Sequence, residues 1–211
     1  MPMKPSEREY RDFTLAIVAV EPEGDTEEKI VKGYASTFNE PYTLYSDDEV
    51  EIREQVDAQA FNNADMSDVI LQYDHEGRVF ARMSNGTLKV TPDDKGLYIE
   101  ADLAGTDIGR QLFEEIKGGY TTKMSYGYTV GGSTWERSKL DDGRILELRT
   151  ITSVNKVYDV SAVSLPANNG TSISVRNLSN GVLEQIKAER LKELELERRK
   201  LETKLRIING R

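Results

Sequence analysis

Between residues 68 and 103 four short apolar runs alternate with turn-forming residues. The runs are DVILQYD, RVFARM, GTLKVTP and GLYIEADL, and the separators are EG, SNG and DDKG. Runs this short and this closely spaced predict antiparallel strands joined by tight turns in a meander. The pattern continues on both sides. DFTLAIVAVE (12–21) and KIVKGYASTFN (29–39) read as strands, the second with a bulge at Gly33. KMSYGYTV (123–130) and the long run ILELRTITSVNKVYDV read as two more. A last pair, SAVSLPA and TSISVRN, flanks the turn PANNG. The acidic stretch EPYTLYSDDEVEI reads as a mobile, irregular connection, and VDAQAFNNA (56–64) as a short helix. A second helix lies in GTDIGRQLFEEIKGG, where Asp107 charges the first turn. Ile108, Leu112, Phe113 and Ile116 form its apolar stripe, and Gly118 and Gly119 stop it.

The pattern changes near the C-terminus. From Val182 to Ile208 there is neither proline nor glycine, and Leu, Glu, Lys and Arg dominate, which is helix composition. Leu191, Leu194, Arg198, Leu201, Leu205 and Ile208 follow alternating three-four spacing, an apolar seam broken by one arginine. Residues 182–211 hold nine Lys and Arg against six Glu, so a helix of net charge +3 follows a body of −12 in a chain of −9. The seam suits association with a partner or docking on the body's surface. The expected organisation is a flexible N-terminus (1–11), one mostly β domain (12–177) and a charged amphipathic helical tail (178–211).

Composition removes several kinds of chemistry. With no cysteine, disulfides, thiolate catalysis and zinc–cysteine sites are excluded. The single histidine rules out a histidine-rich metal centre within one chain; a magnesium or calcium site built from carboxylates stays open, but no calcium-loop pattern occurs, and neither metal nor cofactor is expected. The acidic balance argues against a general nucleic-acid surface. No run is long and apolar enough for a signal segment or a membrane span, and the expected compartment is the cytosol.

His75, in QYDHEG, is the only imidazole available as a base. It reads either as a turn histidine bonded to Asp74 or Glu76, or as a general base at the end of a strand. Ser125, in KMSYGY, reads either as a strand serine beside Met124 and Tyr126, or as a hydroxyl close to backbone N–H groups of a helix–turn–strand passage. Those groups, around Lys123 to Ser125 or in a glycine loop, would form an oxyanion hole, and Gly127 permits close approach. MSYGY does not match the nucleophile-elbow pattern.

Residues 12–177 resemble the prohead (capsid maturation) proteases of tailed bacteriophages. The matching pieces, in order, are GYASTFN, VDAQAF, YDHEG, DDKGLYIEADL, IGRQLFEEIKGG, KMSYGY and YDVSAVSLPAN. The resemblance implies a mostly β, α+β fold like that of the herpesvirus assembly proteases, a β-barrel surrounded by helices, here with a helical tail. It places the family's histidine at His75 and its serine at Ser125. The family's glutamate-valine-serine piece is here Asp159-Val160-Ser161, so Asp159 is the implied orienting carboxylate. The second histidine of the herpesvirus relatives has no counterpart in this chain. Glu147, on the long strand, is another carboxylate but has no motif behind it. Gln59 stands where the family has glycine, and Tyr128 where it has phenylalanine.

The function implied is a serine endopeptidase that cleaves scaffold or capsid proteins, and itself, during procapsid maturation. Its partners would be the phage scaffold and major capsid proteins and a second copy in a homodimer, with no nucleic acid and no membrane. Its place would be the host cytoplasm, inside the assembling procapsid. The alternatives are a non-catalytic assembly protein on the same β body, or a scaffold-binding module that uses the basic helix.

Overall fold

A computed structural model describes residues 8–20, 28–164 and 182–209. The chain divides into two compact units, Met1–Ser174 and Val175–Arg211. In the first, the strands are β1 (Glu9–Ala16), β2 (Val18–Ala19), β3 (Ile30–Thr37), β4 (Tyr42–Ser46), β5 (Val50–Val56), β6 (Ile70–Tyr73), β7 (Glu76–Arg82), β8 (Leu88–Pro92), β9 (Gly96–Asp102), β10 (Lys123–Lys139) and β11 (Ile145–Val163). Helix α1 (Asp107–Lys117) lies between β9 and β10. Thr106 caps it by accepting the Gly109 N–H, and Leu112, Phe113 and Ile116 are buried along its stripe. The second unit holds α2 (Val182–Asn209), an uninterrupted helix with Arg198 paired to Glu202 one turn on. The expected strand TSISVRN and the turn PANNG lie outside the described residues.

The fold is mixed α+β with two open sheets, not the expected barrel. The larger sheet has the order β1-β10-β11-β5-β4, with β6 also paired to β11 and β7 to β6; the smaller has the order β2-β3-β9-β8. A barrel requires the terminal strands of a sheet to pair with each other. Here β1 and β4 remain at the ends of one sheet and β2 and β8 at the ends of the other. Closure is replaced by a shared core, in which Val31, Leu97 and Ile99 of the small sheet join Met124, Tyr126 and Val160 of the large one. Nor is there a surrounding shell of helices, since α1 is the one helix among the described residues of the first unit.

The expected 68–103 meander is split: β6–β7 is a hairpin of the large sheet, and β8–β9 a hairpin of the small one. The stretch expected to be irregular forms the β4–β5 hairpin, whose turn is closed by Asp47 accepting the N–H groups of Glu49 and Val50. The bulge expected at Gly33 falls between Tyr34 and Ser36. The expected helix at 56–64 is a chain of i to i+3 turns, with Ala60, Asn62 and Ala64 donating three residues back. It runs along β11 and exchanges backbone bonds with it: Asp57 N–H to Ile151 O, Val154 N–H to Ala60 O, and Asp65 N–H to Asn155 O. Burial of Ala60 and Phe61 there outweighs local helix preference. One edge of β11 is thus covered in turn by β5, the turn segment and β6, with β5 and β6 parallel to it.

Strands β10 and β11 form a long antiparallel hairpin with register shifts concentrated between Gly127 and Ser133. Such bulges bend and twist a strand pair. In a flat sheet β1 and β5 would stand three strand spacings apart, about 14 Å. The bend instead closes a buried ionic cluster between them. Arg11 of β1 donates to Glu54 of β5 through Nε (2.6 Å) and Nη2 (3.1 Å), and also to Glu9. Arg149 of β11 donates through Nη1 to Glu54 (2.7 Å) and Glu9 (3.2 Å), and the Tyr42 hydroxyl donates to Glu54 (2.5 Å). Two guanidiniums balance two carboxylates, so no net charge is buried.

Burial by itself would raise the Glu54 pKa, but the Arg11 and Arg149 guanidiniums outweigh it and hold Glu54 at about 2, against 4.5 for a free glutamate. A carboxylate depressed in the folded state contributes stability above its unfolded pKa and loses it as pH falls through the folded one. Stability should therefore decline as pH is lowered from 4.5 towards 2. Glu54→Gln leaves two buried cations facing one carboxylate, and we expect it to cost about 3–5 kcal/mol at neutral pH. It should also flatten the acid decline. Urea denaturation of both proteins across that range checks both effects.

Candidate active site

Successive residues of a strand face opposite sides of the sheet, so the register of β10 on β11 decides which groups meet. Ser125 stands opposite Ser161, and Gly127 opposite Asp159. These four positions share one face. Met124 and Tyr126 of β10 and Val160 and Ala162 of β11 alternate with them and belong to the core. The polar face is itself buried: Ser125 and Ser161 are 0% exposed and Asp159 1%.

His75 reaches this face from the next strand. β6 pairs in parallel with the end of β11, Tyr73 opposite Ala162. The chain then turns at Asp74 and His75, with φ of 50° and 59°, before returning as β7. Two successive left-handed residues are the mark of a two-residue hairpin turn that usually takes Asn-Gly. Non-glycine residues there cost of order 1–3 kcal/mol each and persist where the surroundings hold them. Here β11 does so. The Asp74 N–H donates to Ala162 O (3.0 Å), and the Asp74 carboxylate accepts the Ser164 N–H (3.0 Å) and hydroxyl (2.8 Å). The His75 N–H donates to Ser161 Oγ (3.2 Å).

The His75 ring, with its side chain 5% exposed, lies between the two strands' polar groups. Nε2 is 2.5 Å from Ser125 Oγ, and Nδ1 makes a short contact with Asp159 Oδ1. The Tyr10 ring meets the imidazole edge to face, with centroids 4.5 Å apart. Arg8 Nη1 is 3.7 Å from Asp159 Oδ2 and its guanidinium lies 3.8 Å from the Tyr158 ring centre. Gly127 makes room for the carboxylate, since a Cβ there would be 2.4 Å from Asp159 Oδ2.

The structure brings together the three residues expected from the sequence, His75, Ser125 and Asp159. Glu147 is not among them. It lies twelve residues before Asp159 on the same strand, about 40 Å along its path at ~3.3 Å per residue, where Arg137 approaches it. The oxyanion donors expected around Lys123 to Ser125 also differ from expectation. Ser125 sits inside the ladder between Asp12 and Ser161, so its backbone groups serve the sheet. The glycine pair is bonded back into α1, Gly118 to Glu114 O and Gly119 to Ile116 O. Sequence reading assigned no role to Ser161, Tyr10 or Arg8. Ser161 had a signal, standing two residues after Asp159 and so on its face. Tyr10 and Arg8, in a polar N-terminal stretch, had none.

A hydroxyl, an imidazole and a carboxylate bonded in that order are the parts of a serine hydrolase, in which the ring takes the hydroxyl proton while the carboxylate holds the opposite N–H. The chain belongs to the caudovirus prohead serine protease family, which matches residues 14–186. It is a serine endopeptidase of prohead maturation, working with phage assembly proteins in the setting of virion assembly. No curated protein and no solved structure matches it.

Replacing Gly127 with alanine should push the Asp159 carboxylate aside and destabilise the fold by about 1–3 kcal/mol, the usual range for overpacking. Gly105→Ala is the control, because nothing lies within 4 Å of a Cβ there. Thermal denaturation of the two variants should separate them, and equal behaviour would show that the slot beside Gly127 is not tight.

Proposed function

We propose that Ser125 is the nucleophile of this endopeptidase, His75 its general base and acid, and Asp159 the carboxylate that orients His75. The observation that carries the assignment is the continuous hydrogen-bonded chain from Ser125 Oγ through the imidazole to Asp159 Oδ1. Asp159 accepts the Nδ1 proton, which leaves the Nε2 lone pair directed at Ser125. As Oγ attacks the scissile carbonyl, its proton passes to Nε2. The imidazolium then returns a proton to the leaving amine, and water repeats the cycle to release the acyl group.

The protease domain, expected at residues 12–177, also takes in Glu9, Tyr10 and Arg11 of β1, and its substrates are scaffold and capsid proteins and the chain itself, inside a procapsid in the host cytoplasm. Residues 178–211 act as a charged helical tail that brings the enzyme into the assembly or pairs it with a second copy. The three-four seam from Leu191 to Ile208 and the tail's net positive charge against the acidic body support that role.

Intact mass followed over time tests the assignment. The wild type should shorten, while Ser125→Ala and His75→Ala should not; identical shortening in all three would refute it. Asp159→Asn should slow the reaction by about 10⁴-fold, as expected when the base is held in the wrong tautomer.

A further inference from the structure

We infer that Ser161 is a positioning residue for His75, locking both the turn that carries the imidazole and the carboxylate that faces it. The inference rests on the proposed roles of Ser125, His75 and Asp159. A serine hydroxyl offers one donor and two acceptor sites, and Ser161 uses all three within this cluster. Its oxygen accepts the His75 backbone N–H at 3.2 Å and lies 3.2 Å from His75 Nδ1, where it shares the ring proton. Its own proton goes to Asp159 Oδ1 at 3.1 Å.

The two carboxylate oxygens are thereby distinguished. Oδ1 receives Nδ1 and the Ser161 hydroxyl, whereas Oδ2 has no hydrogen-bond partner among the described residues and lies against Gly127 and within 3.7 Å of Arg8. Rotation of the carboxylate would break both bonds on Oδ1 together. Ser161 also holds the backbone of His75, which stands in the left-handed region at φ 59°. Asp74 and Ser164 pin the preceding residue of the turn, but among the described residues Ser161 is the side chain that accepts the His75 N–H. Because β10 pairs Ser125 directly with Ser161, one side chain relates the turn, the carboxylate and the strand that bears the nucleophile. Ser161 touches neither substrate nor reacting atoms in this role; it acts through His75 and Asp159.

Two measurements on the full chain test the inference. The first is inactivation by a fluorophosphonate. In Ser161→Ala the maximal inactivation rate should fall about 10–100-fold, the effect of losing a hydrogen bond to a charged group, while the half-saturating concentration stays within about twofold. Ser161→Thr keeps the hydroxyl and should restore most of the rate. The second is NMR of protein labelled with ¹⁵N-histidine, which reports a single imidazole because His75 is the only histidine. The Nδ1 proton should resonate sharply downfield in wild type and Ser161→Thr, and broaden or vanish in Ser161→Ala. An unchanged ring signal with an unchanged rate in Ser161→Ala would overturn the inference. So would loss of the signal in folded Ser161→Thr, which also carries the test if Ser161→Ala does not fold. If Ser125→Ala still cleaves, the proposed nucleophile is wrong, while the ring signal in Ser161→Ala still decides whether Ser161 holds His75.

Discussion

Ser125 meets Ser161, and Gly127 meets Asp159, because β10 and β11 pair in one register. A slip by one residue would turn Met124 and Tyr126 to the polar face and Ser125 to the core, since side chains alternate along a strand. The buried alternation Met124–Tyr126 against Val160–Ala162 is what resists that slip. The hydrophobic pattern that builds the core therefore also places the Ser125 hydroxyl and the Asp159 carboxylate on the opposite face. The bend of the same hairpin has a second consequence, because it brings Arg149 and Glu54 to Glu9 and Arg11 and so ties β1 to β5 across the large sheet. β1 in turn supplies Tyr10, whose ring lies against His75.

β11 links the parts of the site that are distant in sequence. Along one edge it accepts β5, the turns after it and β6. This pairing carries the chain from Val50 to Tyr73 in a fixed path and ends with the Asp74–His75 turn beside Ser161 and Ser164. The imidazole is thus held by backbone geometry, by Ser161 of β11 and, through Asp74, by Ser164 just beyond that strand, not by its own flexible side chain alone. Strain stored in two left-handed residues is offset by bonds that form only if β6 is fully docked.

Much of this was legible in the sequence. β-prone runs gave the positions of most strands, and the glycine pair marked the end of α1. Short motifs carried by a family resemblance singled out His75, Ser125 and Asp159, which local chemistry alone left ambiguous. Long-range organisation was not legible. Arg11 and Glu54 are 43 residues apart and Arg149 and Glu9 140, and as single charges in β-prone stretches each reads as surface. The β4–β5 hairpin was obscured by its acidic turn, and the 56–64 segment by apolar residues that bury in the core, Phe61 against Phe38 and Tyr126, instead of forming a helical face. Whether the sheet closes depends on which strands lie at its ends, and no local pattern records that.

The most direct test is to treat the chain with a fluorophosphonate and map the modified residue by peptide mass. The account predicts a single adduct on Ser125 that disappears in His75→Ala. An adduct on another residue, or equal labelling of Ser125 without His75, would contradict it.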